Sequence, residues 1–316
     1  MRVPLLFVTG MPRSGTTLLS TMLGRHSRMH ATPETHFFSQ CYPTGELDAS
    51  LGEMRARQVA RCLDGSIARA TVHTLEGADL IGHTPRSTFE GGLRASLEAV
   101  GKGDGDDLAW LVEKTPAHHE HAFRIAAAYP TARLLTIVRD PRAVSASLRR
   151  VPWNREPALQ HGRRWKHYAR IQRELERTLG ERYRWIRYEA LLEAPEAMLS
   201  DLCAWLGVTY EPAMVSAGAT PSTFDADTEP WKVNASAELD PSRIFAWRSN
   251  LPPADRKLVE LGAGDALERL EYEKEQGGWA PGVLLSMGVQ VIAYGAHRLL
   301  NKWRYWNEKR TGKPFV

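Results

Sequence analysis

The segment GMPRSGTT, Gly10 to Thr17, follows an apolar run and nearly matches the phosphate-loop pattern G-x-x-x-x-G-K-[ST]. Gly10, Gly15 and Thr17 stand in register, but Thr16 occupies the place of the lysine that reaches a triphosphate's terminal groups. A glycine-rich turn between strand and helix aims backbone N–H groups at an anion, and the helix dipole adds about 0.3–1 kcal/mol. Thr16 and Thr17 add hydroxyl donors, and Arg13 adds a planar cation that can fork onto oxygens. The segment therefore reads as a phosphate or sulfate cradle. A sharp turn that merely packs a helix on a strand needs neither Arg13 nor two adjacent hydroxyls.

A second constellation is VRDPRAVSAS, in which Arg139 ends an apolar run and Ser147 follows eight residues later, about two helical turns on. Ligands of parallel sheets bind outside the carboxyl ends of the strands, where Arg139 would meet a second anionic group. A plainer reading makes Arg-Asp-Pro a helix cap, with Arg139 and Asp140 salt-bridged to neighbours. On type alone, Glu34 in ATPETHFF reads as a helix-cap carboxylate, and Lys114 in EKTP as the partner of Glu113 or another acid. In HHEH, His118 and His121 would share a helix face, but two histidines need further metal ligands and the sequence marks none.

These residues need elements to place them. VPLLFVTG, LAWLVEKT and ARLLTIVRD are short, rich in β-branched or aromatic residues, and each leads into a helical pattern. RYRWIRY, ending at Tyr188, alternates and is expected nearer an edge. Helices are expected over Gly15 to Leu23, from Pro116 with Thr115 as N-cap, and from Pro141 after Asp140. The recurring strand–loop–helix unit predicts an α/β fold: a three-layer, open, mostly parallel sheet flanked by helices. Periodicity fades over 213–250, which predicts a long loop or lid closing a domain of residues 1–275. In the tail, 276–316, Leu285, Val289, Ile292, Ala296, Leu299, Trp303 and Trp306 recur along one helical face. That stripe calls for a cover: the protein's own body, a second subunit in a homodimer, or a membrane surface.

The 316 residues, 43% hydrophobic, can bury a substantial core, and a formal charge of +4 is too small for a polycation that coats nucleic acid. Cys41, Cys62 and Cys203 have neither disulfide-framework numbers nor metal-ligand spacing, which favours a reducing, cytoplasmic setting. The apolar run Leu5 to Val8 is too short for a signal peptide or a span.

Taken together, PRSGTTLL and RDPRAVSASL resemble the sulfotransferases that use 3′-phosphoadenosine 5′-phosphosulfate (PAPS). The resemblance implies their P-loop-like fold. It assigns Arg13, Ser14, Gly15, Thr16 and Thr17 to the 5′-phosphosulfate, and Arg139 and Ser147 to the 3′-phosphate. ATPETHFF is similar to the segment that carries the catalytic Glu in tyrosylprotein sulfotransferases and their bacterial relatives, which maps to Glu34. EKTP is similar to the segment whose Lys contacts the transferring group, which maps to Lys114. RYEALLEAPEAMLSDLCAWLGV implies Tyr188 near the nucleotide, and PSRIFAWRSNL loosely matches the late basic loop through Arg243 and Arg248. The cytosolic branch has its basic His directly after a Lys-Thr pair; here Pro116 stands there, with His118 two residues on. Glu34 is therefore the expected base, with His118 and His36 in reserve.

The chemistry so implied is sulfuryl transfer from PAPS to an acceptor hydroxyl (tyrosyl, glycan, lipid or small natural product), leaving 3′,5′-adenosine bisphosphate (PAP). No protein-bound metal is inherently demanded. The acceptor pocket would be built from Gln40 to Ala95 and Trp153 to Trp165. Two alternatives stand beside it. A P-loop kinase would need an acidic Mg²⁺ ligand, for which Asp140 is the tempting candidate; a non-catalytic nucleotide-binding scaffold would need no base at all.

Overall fold

The computed structural model describes residues 3–41, 107–216, 238–276 and, except for 283, 293, 294, 297 and 298, residues 281–299. The strands are β1 (Leu5–Thr9), β2 (Met29–Ala31), β3 (Trp110–Lys114), β4 (Arg133–Val138) and β5 (Tyr183–Arg187). The α-helices are α1 (Thr16–Gly24), α2 (Ala122–Ala128), α3 (Pro141–Leu148), α4 (Ala158–Leu179), α5 (Tyr188–Glu193), α6 (Pro195–Leu206), α7 (Trp247–Asn250), α8 (Pro253–Ala263) and α9 (Ala266–Arg269). The chain divides into two units, Met1–Arg139 with Arg170–Ser242, and Asp140–Ala169 with Arg243–Val316.

In the first unit the five strands form one fully parallel sheet of order β2-β3-β1-β4-β5. The expected strands are all present, and β5 lies at an edge. β2 was not expected: its three residues, MHA, are too few to show a period. β1 is central: the chain runs from it to β2 and β3 on one side, then crosses to β4 and β5 on the other. This order puts the topological switch, where open α/β sheets bind ligands, at the carboxyl end of β1.

Both faces of the sheet are buried, as a parallel sheet requires. Leu5 and Phe7 of β1, Leu111 of β3 and Leu134 of β4 share one core with Ile125 of α2, Tyr129 and Leu175 of α4. The alternate residues Leu6, Val8, Val112, Leu135 and Ile137 are buried on the other face. At its end α1 comes so close to β2 that a Cβ on Gly24 would stand 2.8 Å from the Ala31 Cβ.

One local expectation needs correcting. Thr115 and Pro116 do not open an α-helix: Pro116–His121 is a 3₁₀ turn, and α2 starts only at Ala122. The cause is side-chain competition, since the Thr115 hydroxyl donates to Glu113 Oε1 at 2.6 Å instead of capping a helix.

The second unit is helical. α3 starts on a cap made by Asp140, whose Oδ1 accepts from the Arg142 backbone N–H at 2.8 Å. Ala143, Ala146, Leu159, Trp247, Leu258 and Val259 form its core. α4 and α8 cross at Gly162 and Gly262: a Cβ on Gly162 would meet the Val259 carbonyl oxygen at 2.2 Å, and one on Gly262 the Leu159 carbonyl oxygen at 2.4 Å. The Trp153 to Trp165 segment, expected as pocket lining, includes the first turns of α4. Residues 217–237 of the expected lid, most of Gln40 to Ala95, Cys62, Trp303 and Trp306 lie outside the described residues. The C-terminal stretch is helical at 281–282, 284–292, 295–296 and 299, and the expected apolar stripe is present there but exposed.

Candidate active site

The loop after β1 has the backbone of an anion cradle. Gly10 (φ 153°) and Gly15 (φ 101°) both lie at positive φ, and a Cβ on Gly10 would stand 2.5 Å from the Ile137 carbonyl oxygen. Arg13 itself has φ 76°, a conformation an L-residue adopts only when its surroundings hold it there. The Ser14 hydroxyl is buried with no hydrogen-bond partner, a cost that an oxyanion in the loop would remove. The Tyr188 ring packs on Gly15, where a Cβ would stand 2.5 Å from its Cδ2. The Arg139 guanidinium lies 4.0 Å above the same ring, and its Nη1 donates to the Arg13 carbonyl at 3.4 Å. Arg13, Ser14, Gly15, Tyr188 and Arg139 thus come together at the ends of β1, β4 and β5.

The end of β3 supplies the second half of the site. Glu113 and Lys114 are adjacent on a strand, so their side chains point to opposite faces, and both are fully buried. Lys114 Nζ donates to Glu34 Oε1 at 2.6 Å and to Thr17 Oγ1 at 3.3 Å. The other Glu34 oxygen, Oε2, faces His36 Nε2 at 3.2 Å. Lys114 therefore pairs with Glu34 rather than with its neighbour Glu113, and it ties that carboxylate to the first helical turn of the cradle.

Glu113 fixes the loop that carries Glu34. Its Oε1 accepts from the hydroxyls of Thr35 at 2.8 Å and Thr115 at 2.6 Å, while Oε2 lies 2.9 Å from His118 Nδ1. Burial pushes the Glu113 carboxyl up, but the adjacent His118 and the hydrogen bonds from His118, Thr115 and Thr35 outweigh it, so its pKa ends below 4.5. His118 Nε2 accepts from the Phe38 N–H at 3.1 Å, so both ring nitrogens of this buried histidine are used within the fold. In that geometry the His118 ring bridges Glu113 and the Phe38 backbone, next to the segment that carries Glu34. His36, half-exposed and at φ 50°, remains beside Glu34.

The sequence reading missed Glu113, Thr35 and Thr115. The available signal was two adjacent charges in an otherwise apolar strand, one of which had to face the core. The other histidines of HHEH also have structural surroundings: buried His119 Nδ1 bonds Thr9 Oγ1 at 3.3 Å, and burial chiefly lowers the His121 pKa.

Ser147, Arg243 and Arg248 belong to the second unit. Ser147 lies on α3 and Arg243 in the 3₁₀ turn Pro241–Ile244; Arg248, on α7, is exposed and stacks 4.7 Å from the Phe245 ring. Asp140, the acid a kinase reading would give to Mg²⁺, is buried and committed elsewhere. It caps α3 and grips Arg142 through Oδ1 and Oδ2 at 3.0 and 2.7 Å, while Arg142 also donates to Glu260 at 2.9 Å.

Known proteins resemble this chain over most of its length. Nodulation protein NoeE of Sinorhizobium fredii is 28% identical over 303 residues, covering 85% of this chain and 66% of that protein. The protein-tyrosine sulfotransferase of Drosophila melanogaster is 24% identical over 219 residues, 67% of this chain and 40% of that protein. The chain thus spans slightly under two thirds of the first relative and less than half of the second. The sulfotransferase domain of the curacin biosynthetic pathway superposes with a TM-score of 0.62 at 21% identity, covering 87% of this chain and all of that one. The sulfotransferase domain of the Synechococcus olefin synthase gives 0.60 at 22%, covering 86% and 97%. At these identities the two structures show a shared fold, a parallel sheet flanked by helices with a P-loop-like turn. The profile of the sulfotransferase family matches residues 4–212, which include the cradle, Glu34, Lys114, Arg139 and Tyr188. By that match the chain belongs to the sulfotransferase family.

Proposed function

We propose that this chain transfers a sulfuryl group from PAPS to an acceptor hydroxyl, with Glu34 as general base and no protein-bound metal. The observation that carries this reading is Lys114, a buried cation placed between a carboxylate and the first turn of a cradle that has no lysine of its own. Arg13, Ser14, Gly15, Thr16 and Thr17 would hold the 5′ end of the donor. Arg139 would serve its 3′-phosphate, and Tyr188 would sit by the nucleotide.

In the reaction the acceptor oxygen attacks sulfur as its O–H bond breaks, and the proton passes to Glu34. The S–O bond to the 5′-phosphate breaks at the same centre, and its electron pair leaves on the phosphate oxygen of PAP. Protonation of Glu34 ends its ion pair with Lys114 just as negative charge grows on the bridging oxygen. The lysine's charge is then turned toward the leaving group, where it is worth most. His36 can relay the proton onward.

The similarity to protein-tyrosine sulfotransferases keeps a tyrosyl acceptor in view, beside glycan, lipid and natural-product hydroxyls. Incubating the chain with labelled PAPS and an extract of its source cells, then identifying the labelled product, tests the reading. A sulfated product that wild type forms and Glu34→Gln does not supports it; labelling by ATP, or by neither donor, overturns it.

A further inference from the structure

The C-terminal helical stretch presents its apolar face to solvent. Its inner side is tied down within the second unit: Met287 packs against the core of Ala143, Trp247 and Leu258, and Gln290 Nε2 donates to Asp255 Oδ1 at 2.7 Å. Its outer side carries Leu285, Val289, Ile292 and Leu299, which are 72, 59, 74 and 70% exposed. Large aliphatic side chains aligned on one exposed helix face mark a contact surface.

Charge identifies the partner. From residue 277 to the end the sequence has six basic side chains, Arg298, Lys302, Arg304, Lys309, Arg310 and Lys313, against one acid, Glu308. The whole chain carries only +4, so the remainder is slightly acidic. Trp279, Trp303 and Trp306 add the residue type that favours the boundary between acyl chains and headgroups.

We propose that this face docks on an anionic lipid bilayer, with the aliphatic stripe at the acyl boundary and the basic segment on headgroup phosphates. Among the described residues no helix is long and apolar enough to cross a membrane. A second copy fits less well, because a two-fold contact through this face would bring two strongly basic segments together. The inference stands apart from the reaction proposed above.

The test uses the full chain in co-sedimentation with phosphatidylcholine vesicles, with and without phosphatidylglycerol, at low and high salt. The expected result is binding at least about tenfold tighter to the anionic vesicles and weakened by salt. Leu285→Ser, Val289→Ser and Ile292→Ser combined should weaken it by about tenfold or more without moving the melting temperature, since these side chains contact solvent. Absence of binding to anionic vesicles, equal binding to neutral ones, or undiminished binding of the triple variant overturns the proposal. So does a dimer in sedimentation velocity that the triple variant abolishes.

Discussion

Lys114 Nζ and Glu34 Oε1 are 2.6 Å apart, with the lysine fully buried and the carboxylate largely so. An ion pair withdrawn from water this far is costly to break from one side. Glu34→Gln should lower kcat by about 10²–10⁴ while PAP affinity changes less than about threefold, because the amide still accepts from Lys114. Lys114→Met should lose turnover too, and should also cost about 1–3 kcal/mol of stability by leaving Glu34 without its donor. Steady-state kinetics, PAP titration and denaturant unfolding separate the two variants.

Gly15→Ala should weaken donor binding by geometry rather than charge. The new methyl would sit 2.5 Å from the Tyr188 ring at φ 101°, so the loop or the ring must move. The expectation is at least a tenfold loss of PAP affinity and about 1–3 kcal/mol of stability. Titration calorimetry and a thermal melt check both.

Glu113 gives the site a pH dependence in stability. Its folded pKa lies below its ordinary 4.5, so its contribution is complete above that pH and is lost as pH falls through the folded value. Urea midpoints measured from pH 6 down to pH 3 should show wild type losing its advantage over Glu113→Gln in that window. A constant gap across the series would contradict the assignment.

His161, in the second unit, titrates far from an ordinary histidine. Burial first, then Arg164 and Arg149, lowers its pKa to about 4, and Ser145 Oγ at 2.8 Å with the Asn154 amide at 3.1 Å holds the ring neutral. Because the folded value is depressed from 6.5, its stabilisation is full above pH 6.5 and drains away as pH falls toward 4, by roughly 3 kcal/mol at most. An NMR titration that places this imidazole near 4 is the expected result; a midpoint near 6.5 would contradict it.

What the sequence made legible was what local physics decides. Three apolar runs and one alternating segment became parallel strands, and Gly10 and Gly15 occupy backbone conformations suited to glycine. Arg13, Glu34, Lys114, Arg139 and Tyr188 stand in the motifs that carry the family resemblance. Three features were hidden for a common reason: partners distant in the chain override local preference. β2 is a strand because β3 pairs with it, Thr115 turns to Glu113 rather than to a helix end, and His118 is spent between Glu113 and Phe38. Asp140, plausible as a Mg²⁺ ligand on paper, is taken by Arg142 and the α3 cap.

On the proposed function, the Gly10–Thr17 loop, lacking a lysine of its own, is a sulfuryl-donor cradle that needs no metal. A thermal-shift titration with PAP in the presence of EDTA, set beside Mg-ATP, tests it most directly. The expected result is saturable stabilisation by PAP without metal, roughly 2–3 kcal/mol at a hundredfold excess over Kd, and greatly reduced in Arg139→Ala. Stabilisation by Mg-ATP alone, or by PAP only when Mg²⁺ is added, would contradict it.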